Sequence, residues 1–488
     1  MHINSLFSTI LLCILSLATY AQNDEFYEEL FQNYDTYKEH SLTHRRFKHA
    51  DIQPLIDNLR TNPIYEIQKV GESVEGRSIQ MISVGTGTKN ILLWSQMHGD
   101  EPTATQAIFD LFNFLNADDF KQQKKLILKK LKLHFIPMLN PDGAELFKRR
   151  NALGIDLNRD ALRLQTPEGQ VLKRMRDSLH AAVGFNLHDQ SRYYNAERTE
   201  KPATISYLAT AYNYEKDINK TRATSMKVIA FMNDIIQEYA PGQVGRYNDD
   251  FEPRAFGDNI QKWGTSLILI ESGGYQNDIE KQTIRKLNFV TILAALETLA
   301  DKSYKKISSK EYDMIPMNDR KLFDLKLEQL SFEKNGKTFQ IDLGINRYEV
   351  DHSNYRDFYN RSQIIDIGDL STYYGYETFK GNGYTIVPGK LYNLESNSLP
   401  IRQRTLELLK EGYLYYQLDE PLDSQEVTVP LVAVSKAFQV PKLDLYIGLN
   451  PSFLLKRDGI ITHAVVNGFL IDLEQGIADS FRNGLYLR

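Results

Sequence analysis

The sequence of 488 residues contains a single cysteine, and its position limits the chemistry open to the protein. Cys13 lies inside the apolar segment near the N-terminus, from Leu6 to Leu17. Residues 1–21 have the composition of a secretory signal, with Ala21-Gln22 as the expected cleavage point. Removal of this signal would leave no cysteine, which excludes disulfides and cysteine catalysis from the mature chain. We expect a secreted or periplasmic protein.

A long apolar run and a basic face are also missing. The apolar segment near the N-terminus is too short for a strong transmembrane helix, so we expect no stable membrane insertion after cleavage. The formal net charge is −5, from 58 Lys and Arg against 63 Asp and Glu. Without a basic stripe, this balance argues against nucleic acid as the main partner.

The length predicts two domains, because one hydrophobic core seldom serves so long a chain. From about residue 60 to 300, short apolar runs alternate with longer amphipathic ones. This alternation predicts an α/β domain with a mostly parallel mixed sheet flanked by helices. After residue 302 the composition turns polar and basic, and short β-type runs follow. We therefore predict a first domain at residues 22–302 and a β-rich accessory domain at residues 303–488.

The predicted elements of the first domain can be given individually. Strands are predicted at Ile79–Val84, Asn90–Gln96, Lys132–Leu139, Val183–Leu187 and Ser266–Glu271. Helices are predicted at Pro102–Leu115, Gly169–Ala182, Lys220–Tyr239 and Ile279–Leu299. In the later part of the chain, β-type runs occur at Thr338–Leu343, Tyr384–Val387, Val427–Val432 and Thr462–Leu473, with a helical piece near Leu399–Lys410.

Polar side chains follow four of the predicted strands at their carboxyl ends. His98 and Glu101 follow the second strand, and Asn140-Pro-Asp-Gly143 follows the third. His188 follows the fourth strand, and Glu271 ends the fifth. The carboxyl ends of the strands line one edge of an open α/β sheet, where ligands bind. We therefore expect these groups to meet in one site.

Two histidines and one carboxylate are the ligand set of a catalytic zinc that keeps its fourth position for water. His98 and Glu101, three residues apart on a tight turn, can point the same way, and His188 can arrive from another strand. Bound zinc lowers the pKa of its water and polarises a carbonyl. A carboxylate that does not bind the metal must still carry the proton to a leaving amine, and Glu271 is suitably located.

The segment from Arg149 to Asp160 supplies amide and cationic groups. Asn158 next to Arg159 is suited to gripping a carboxylate through forked hydrogen bonds, and an arginine nearby is suited to holding an oxyanion. Taken singly, these residues have ordinary interpretations: a histidine in a turn, a solvated carboxylate, a helix cap with its ion pair. Their coincidence at one sheet edge favours a zinc site.

The ordered motifs resemble those of the zinc metallocarboxypeptidases typified by carboxypeptidase A, over residues of about 50 to 300. The motifs that carry the resemblance are Gly71-Glu-Ser-Val-Glu-Gly-Arg77-Ser-Ile79, His98-Gly-Asp-Glu101, Asn140-Pro-Asp-Gly143, Arg149-x-Asn151 leading to Asp156-Leu-Asn158-Arg159, Asn186-Leu-His188-Asp189 and Ile270-Glu271-Ser272. They occur in the order in which the family has them.

The resemblance implies a metal site and its catalytic carboxylate. His98, Glu101 and His188 would be the ligands of one zinc per chain. Glu271 would be the general base and acid. The Asn140-Pro-Asp-Gly143 segment is interpreted as a structural turn that shapes the floor of the site.

The resemblance also implies roles in substrate binding. Arg149 would be the arginine that polarises the scissile carbonyl, because it stands two residues before Asn151. Asn158 and Arg159 would bind the terminal carboxylate of a peptide. Asp156 would accept a hydrogen bond from a ligand histidine, a partner that such ligands nearly always have.

The chain departs from the digestive members of the family in two places. Asp100 precedes Glu101 where those members carry an arginine. The mobile tyrosine of the family is not fixed by the sequence. The candidates between His188 and Glu271 are Tyr193, Tyr194, Tyr207, Tyr212, Tyr214, Tyr239 and Tyr247, of which Tyr247 is nearest the expected place. The specificity pocket is expected to include Arg254, Phe256 and Asp258.

The leading hypothesis is therefore an exported zinc metallocarboxypeptidase that removes C-terminal amino acids from peptides, cell-wall peptides included. Its partner would be a peptide with a free C-terminal carboxylate. One alternative is a zinc-dependent amidase or deacylase that acts on a small acylated amino acid. Asn158 and Arg159 could bind the carboxylate of that substrate equally well. Another is a non-catalytic protein that binds peptide ends, although such a protein has no need of the proton shuttle Glu271.

Overall fold

The structure, a computed structural model, describes residues 25–393, 401–418, 426–476, 481 and 483–487. The predicted signal at residues 1–21 lies outside the described residues. The chain forms two compact units, of which the first ends at Asp319 and the second begins at Arg320. Residues 303–319 belong to the first unit because Tyr312 and Ile315 are buried in its core, although the composition predicts a boundary at residue 302.

The first unit alternates strands and helices along the chain. Its strands are β1 Tyr65–Glu72, β2 Ser78–Val84, β3 Lys89–Ser95, β4 Leu131–Ile136, β5 Val183–Asp189, β6 Asn195–Ala196, β7 Ile205–Leu208, β8 Val244–Arg246, β9 Ser266–Ser272 and β10 Asn318–Asp319. Its helices are α1 at residues 25–32, α2 His49–Leu59, α3 Thr103–Asn116, α4 Lys121–Lys130, α5 Pro141–Glu145, α6 Pro167–Leu179, α7 Lys220–Tyr239, α8 Phe256–Lys262, α9 Gln282–Asp301 and α10 Ser309–Asp313. Short 3₁₀ turns lie at Tyr34–Thr36, Leu157–Arg159 and Ser303–Lys306.

Eight strands of the first unit form one mixed sheet in the order β1-β2-β4-β3-β5-β9-β7-β8. The central strands β4, β3, β5 and β9 run parallel, whereas β1, β2 and β7 pair antiparallel with a neighbour. The central strands are mostly apolar and almost wholly buried, as is typical of strands covered on both faces. This architecture confirms the predicted α/β class.

The strand order brings the predicted functional residues to one edge of the sheet. Strand β3 lies between β4 and β5, and β5 lies between β3 and β9. In the register of β5 and β9, His188 is directly paired with Glu271. His98 and Glu101 follow the end of β3, one strand away. The parallel register therefore places all four at the carboxyl edge, where ligands bind in such sheets.

The predicted elements of the first unit recur as β2, β3, β4, β5 and β9 and as α3, α6, α7 and α9, with ends that differ by up to three residues. The Lys-rich run at residues 121–130 forms α4, whose lysines are mostly exposed. The sequence did not reveal β1, β7 and β8. These strands lie at or near the sheet edges, where apolar patterns are interrupted by polar residues.

The N-terminal segment at residues 25–47 is part of the core of the first unit. Seven of its apolar residues are buried there: Phe26, Tyr27, Leu30, Tyr34, Tyr37, Leu42 and Phe47. Asp110 of α3 accepts hydrogen bonds from the hydroxyl of Tyr34 and from the Nε of Arg285 in α9, both at 2.7 Å. Arg285 and Asp110 are wholly buried, and Arg285 also donates to the carbonyl of Leu42.

The second unit is rich in strands, as predicted. They are β11 Leu322–Lys334, β12 Lys337–Asp351, β13 Phe358–Gly368, β14 Tyr374–Lys380, β15 Thr385–Val387, β16 Lys390–Tyr392, β17 Tyr413–Gln417, β18 Glu426–Val427, β19 Val432–Val434, β20 Phe453–Arg457, β21 Ile460–Val466, β22 Phe469–Asp472 and β23 Gly484–Leu487. The described residues of this unit also form the helix α11 Ile401–Lys410. An eight-stranded sheet follows the order β13-β12-β11-β15-β20-β21-β22, with β14 beside β11. A five-stranded sheet has the order β16-β17-β19-β23-β18.

Two predicted runs of the second unit are not single strands. The run Thr462–Leu473 divides into the hairpin of β21 and β22 at Asn467-Gly468, where both residues have positive φ, 47° and 74°. Asn-Gly is the preferred sequence of a two-residue hairpin turn, so the break has a local cause. The run Val427–Val432 joins the end of β18 to the start of β19. Among the described residues, no helix has the length and apolarity needed to cross a membrane.

The buried group of Asp110, Arg285 and Tyr34 predicts unequal losses of stability. Asp110→Ala leaves the guanidinium of Arg285 buried without its carboxylate, and we expect it to cost about 3–5 kcal/mol in free energy of unfolding. Tyr34→Phe removes one hydrogen bond and should cost about 1 kcal/mol. The only tryptophans, Trp94 and Trp263, lie in the first unit, so fluorescence during urea unfolding reports this unit.

Asp118→Asn is the matched control, because the side chain of Asp118 is fully exposed. Asp118→Asn should leave the midpoint of the urea unfolding transition unchanged. Equal losses for Asp110→Ala and Tyr34→Phe would contradict the account of a charge held in the core.

Candidate metal centre and active site

A tight loop after β3 carries His98 and Glu101 into the site. It begins at Gln96, which has a positive φ of 44° and donates from its side chain to the carbonyl of Gly99 at 3.0 Å. Gly99 lies against Gly143 of α5, since a Cβ on Gly99 would come within 2.0 Å of the Gly143 carbonyl carbon. The two glycines therefore permit the close approach of the two loops, as expected of the Asn140-Pro-Asp-Gly143 turn.

The side chains of His98, Glu101 and His188 converge. Oε1 of Glu101 lies 2.8 Å from Nδ1 of His98, and Oε2 lies 2.6 Å from Nδ1 of His188. One ligand atom from each residue lies within 4.8 Å of the others, and all three residues are buried. The backbone N–H of Asp189 also donates to Oε2 of Glu101 at 3.2 Å.

Asp156 orients the ring of His98 through the nitrogen that faces away from Glu101. Its Oδ1 accepts from Nε2 of His98 at 3.0 Å, so Nε2 is the donor and Nδ1 is turned toward Glu101. A carboxylate bonded to the far nitrogen of a histidine is the usual support of a metal ligand. Nε2 of His188, by contrast, is buried without a hydrogen-bond partner among the described residues.

The opposite charges of the histidines and carboxylates shift the pKa values of this cluster. Burial lowers the pKa of His98, but the carboxylates of Glu101 and Asp156 outweigh it and raise that pKa to about 9. Burial would raise the pKa of Glu101, but His98 and His188 hold it well below its ordinary value. The donor set, two imidazole nitrogens and a carboxylate, is the one zinc prefers where a position is left for water. The three residues therefore fit a divalent cation.

Glu271 lines the same cavity from the neighbouring strand β9. Burial, and then the negative charge of Glu101, raise the pKa of Glu271 well above its ordinary value. Of the seven candidate tyrosines, Tyr194 and Tyr247 line the cavity, and their hydroxyl oxygens are 3.4 Å apart. Burial is the first cause that raises the pKa of Tyr247, and its contact with Tyr194 adds to it.

The structure distinguishes the two neighbouring arginines. Nη1 of Arg149 donates to Nδ1 of His98 at 3.0 Å and to Oε1 of Glu101 at 3.2 Å. Its Nε donates to Oδ2 of Asp156 at 3.0 Å. Arg150 instead points away from the site and donates to the carbonyl of Gly154. Of the pair, Arg149 is the arginine of the cavity.

Asn158 and Arg159 lie on the short 3₁₀ turn that Asp156 caps. Asp156 Oδ1 accepts from the backbone N–H of Asn158 at 2.9 Å. Oδ1 of Asn158 accepts from the backbone N–H of Phe256, which leaves its amide N–H groups to the cavity. Nε of Arg159 lies 3.5 Å from Oε2 of Glu252.

The cavity measures about 320 Å³ and is lined by both polar and apolar side chains. Asp258 at the N-terminal end of α8 is 6% exposed and lines it, and burial raises its pKa to about 7. Leu208, Thr210 and Leu269 complete the walls beside it.

Two further acidic residues lie near the cavity but already have cationic partners. Asp249 pairs with Arg222 and with Lys216, and Asp250 lies 2.7 Å from Lys216. Among the described residues, Asp258 lines the cavity without such an ion pair.

All eight predicted site residues lie together, but the sequence did not indicate every residue of the cavity. Tyr194 was only one of seven candidates, and Gln190, Leu208 and Thr210 carry no motif. Glu252 also stands apart from the motifs. Its contact with Arg159 joins residues 93 positions apart, and no local pattern reveals such a pairing.

Comparisons with known proteins agree with the site. A family model described as zinc carboxypeptidase matches residues 52–168. The chain is 26% identical to Carboxypeptidase SOL1 of Arabidopsis thaliana, over 32% of this chain and 37% of that protein. It is 30% identical to Carboxypeptidase E of Caenorhabditis elegans, over 21% of this chain and 26% of that protein. The chain thus spans about a quarter to a third of the length of these relatives.

Solved structures similar to the chain include a metallo-carboxypeptidase from Burkholderia cenocepacia, with 16% identity and a TM-score of 0.44 over 52% of this chain and 70% of that chain. Another is the metallo-carboxypeptidase from Pseudomonas aeruginosa in complex with (2-guanidinoethylmercapto)succinic acid, with 18% identity and a TM-score of 0.40 over the same shares. Residues 52–168, which carry His98, Glu101 and the Arg149–Arg159 segment, are thus similar to the zinc carboxypeptidase family.

Proposed function

We propose that the protein is an exported zinc metallocarboxypeptidase that hydrolyses the last peptide bond of peptides with a free C-terminal carboxylate. The observation that carries the proposal is the convergence of three metal-ligand side chains, a carboxylate, an arginine and a carboxylate-binding pair around one cavity. The signal-like composition of residues 1–21 supports export. Peptides found outside the cytoplasm, cell-wall stem peptides included, are then the available substrates.

His98, Glu101 and His188 would hold one zinc ion, because Nδ1 of each histidine and the carboxylate of Glu101 converge. Zinc so held lowers the pKa of a water molecule and polarises a carbonyl group. Asp156 keeps His98 in the orientation that presents Nδ1, a support that typically matters for metal affinity.

Glu271 moves the proton of the reaction. It accepts a proton from the attacking water and returns it to the nitrogen of the leaving amino acid, so that the C–N bond breaks with a neutral amine as product. The guanidinium of Arg149 faces the same space and stabilises the negative charge that develops on the carbonyl oxygen. Tyr194 and Tyr247 line this space.

Asn158 and Arg159 make the enzyme an exopeptidase. The amide N–H groups of Asn158 and the guanidinium of Arg159 bind the terminal carboxylate of the substrate. This binding places the last peptide bond, and not an internal one, beside Glu271 and Arg149. Asn158 and Arg159 would bind the carboxylate of an acylated amino acid in the same way. Asp258 lines the same cavity, and a carboxyl group there favours a substrate whose last residue has a cationic side chain.

The first prediction concerns the metal. The purified chain should contain one zinc per chain, and His98→Ala or His188→Ala should remove it, because two ligands hold zinc weakly. Asp156→Asn should weaken zinc affinity by about 10- to 100-fold, measured by competition with a chelator. His180→Asn is the control, since His180 is exposed at the C-terminal end of α6 and does not belong to the ligand cluster. Zinc retained by both histidine variants would contradict the assigned ligands.

The second prediction concerns Glu271. The chain should release single amino acids from the C-terminus of library peptides, read by mass spectrometry. Glu271→Gln should lower kcat by about 10²- to 10⁴-fold while zinc content stays the same, because only the proton transfer is lost. C-terminally amidated peptides serve as the matched control and should resist hydrolysis. If amidated and free peptides were cut equally, the exopeptidase assignment would be wrong.

A third prediction concerns Asp258, whose carboxyl group lines the cavity. Because the pKa of Asp258 is about 7, its side chain is mostly neutral below that pH and mostly charged above it. Release of C-terminal Lys or Arg relative to Leu should therefore increase as the pH rises from 6 to 8. Asp258→Asn should remove this dependence, and it keeps an oxygen to accept from the backbone N–H of Glu252.

The ratio of Phe to Leu release, measured in the same reactions, controls for the general pH dependence of the enzyme. An Asp258→Asn variant with an unchanged preference for basic ends would show that Asp258 does not select them.

A further inference from the structure

The carboxylate of Glu252 lies at the guanidinium that we assign to the substrate carboxylate. Oε2 of Glu252 is 3.5 Å from Nε of Arg159, and both side chains line the cavity. Arg159 is only partly exposed, at 37% of its side chain. A substrate carboxylate and the Glu252 carboxylate therefore compete for one cation, since both are acceptors of the same N–H groups.

Glu252 has a second cationic partner on its other side. Arg254 donates from Nε to Oε1 and from Nη2 to Oε2 of Glu252, both at 3.1 Å, and its backbone N–H also donates to Oε1 at 3.1 Å. Arg254 is 58% exposed and does not line the cavity. The Glu252 side chain can therefore leave Arg159 and remain paired with Arg254, so its displacement costs little free energy.

The backbone around Glu252 is anchored, so only the side chain has to move. The backbone N–H of Glu252 donates to Oδ2 of Asp258 at 2.7 Å, and the carbonyl of Arg254 accepts from the N–H of Ala161 at 3.1 Å. The carbonyl of Glu252 accepts from the N–H of Ala255 at 2.9 Å. These bonds fix the segment on both sides of the side chain.

We propose that Glu252 is an internal competitor of the substrate carboxylate, held between Arg159 and Arg254, and that it sets the affinity for peptide ends. The inference rests on the proposed function, because it needs Arg159 to bind the terminal carboxylate. When a peptide binds, its carboxylate takes Arg159, and the Glu252 side chain stays with Arg254. Glu252 thus acts on KM and not on the chemical step.

Substitutions of Glu252 and of Arg254 should change KM in opposite directions. Glu252→Gln removes the competing charge, so KM for peptides should fall by about three- to fivefold with kcat unchanged. Arg254→Gln removes the partner that draws Glu252 away, so KM should rise by a similar factor. In the double variant the effect of Arg254→Gln should disappear, because it acts only through Glu252.

Binding measurements separate this inference from the catalytic proposal. In a Glu271→Gln background loaded with zinc, calorimetry gives the Kd of a peptide acid and of its C-terminal amide without turnover. Glu252→Gln should tighten the acid by about three- to fivefold and leave the amide unchanged, since the amide has no carboxylate to exchange. Glu215→Gln is the matched control, because Glu215 is exposed and does not line the cavity.

Two results would overturn the inference. One is a Glu252→Gln variant that binds the acid no more tightly, or more weakly, than the parent. The other is an effect of Arg254→Gln that persists without Glu252. A parent chain that binds the acid in this manner but trims no peptide would contradict the proposed catalysis and leave the exchange at Arg159 supported.

Discussion

One carboxylate, that of Asp156, fixes the geometry on which the rest of the site depends. It accepts from the ring of His98, from the guanidinium of Arg149 and from the backbone of Asn158. Three groups with different proposed tasks, namely metal binding, carbonyl polarisation and carboxylate binding, are thus oriented by a single side chain. Because the groups share one acceptor, a displacement of Asp156 would disturb all three together.

The sheet positions the other groups of the site at the same edge. Strands β3, β5 and β9 lie side by side and parallel, so His98, His188 and Glu271 emerge at the same edge. Behind this edge, the N-terminal segment is joined to α3 and α9 through Asp110 and Arg285. Residues 25–47 are therefore a structural part of the first unit.

The sequence was informative where local patterns decide the structure. Apolar runs between helices predicted the central strands, and the polar residues at their ends predicted which side chains meet. It was uninformative where the decisive contact joins distant residues. Strand β8 at the edge of the sheet and its neighbour β7 are short and have no clear pattern. The pairing of Arg159 with Glu252, and the part that Asp156 takes in holding Arg149, follow from tertiary packing, which propensity and spacing do not encode.

The most direct test of the central claim is a crystal structure of the zinc-loaded chain with anomalous scattering recorded at the zinc edge. The account predicts one strong peak per chain, within bonding distance of Nδ1 of His98, Nδ1 of His188 and the carboxylate of Glu101. It also predicts that Asp156 remains bonded to Nε2 of His98. A peak bound by other residues, or no peak among these three, would contradict the account.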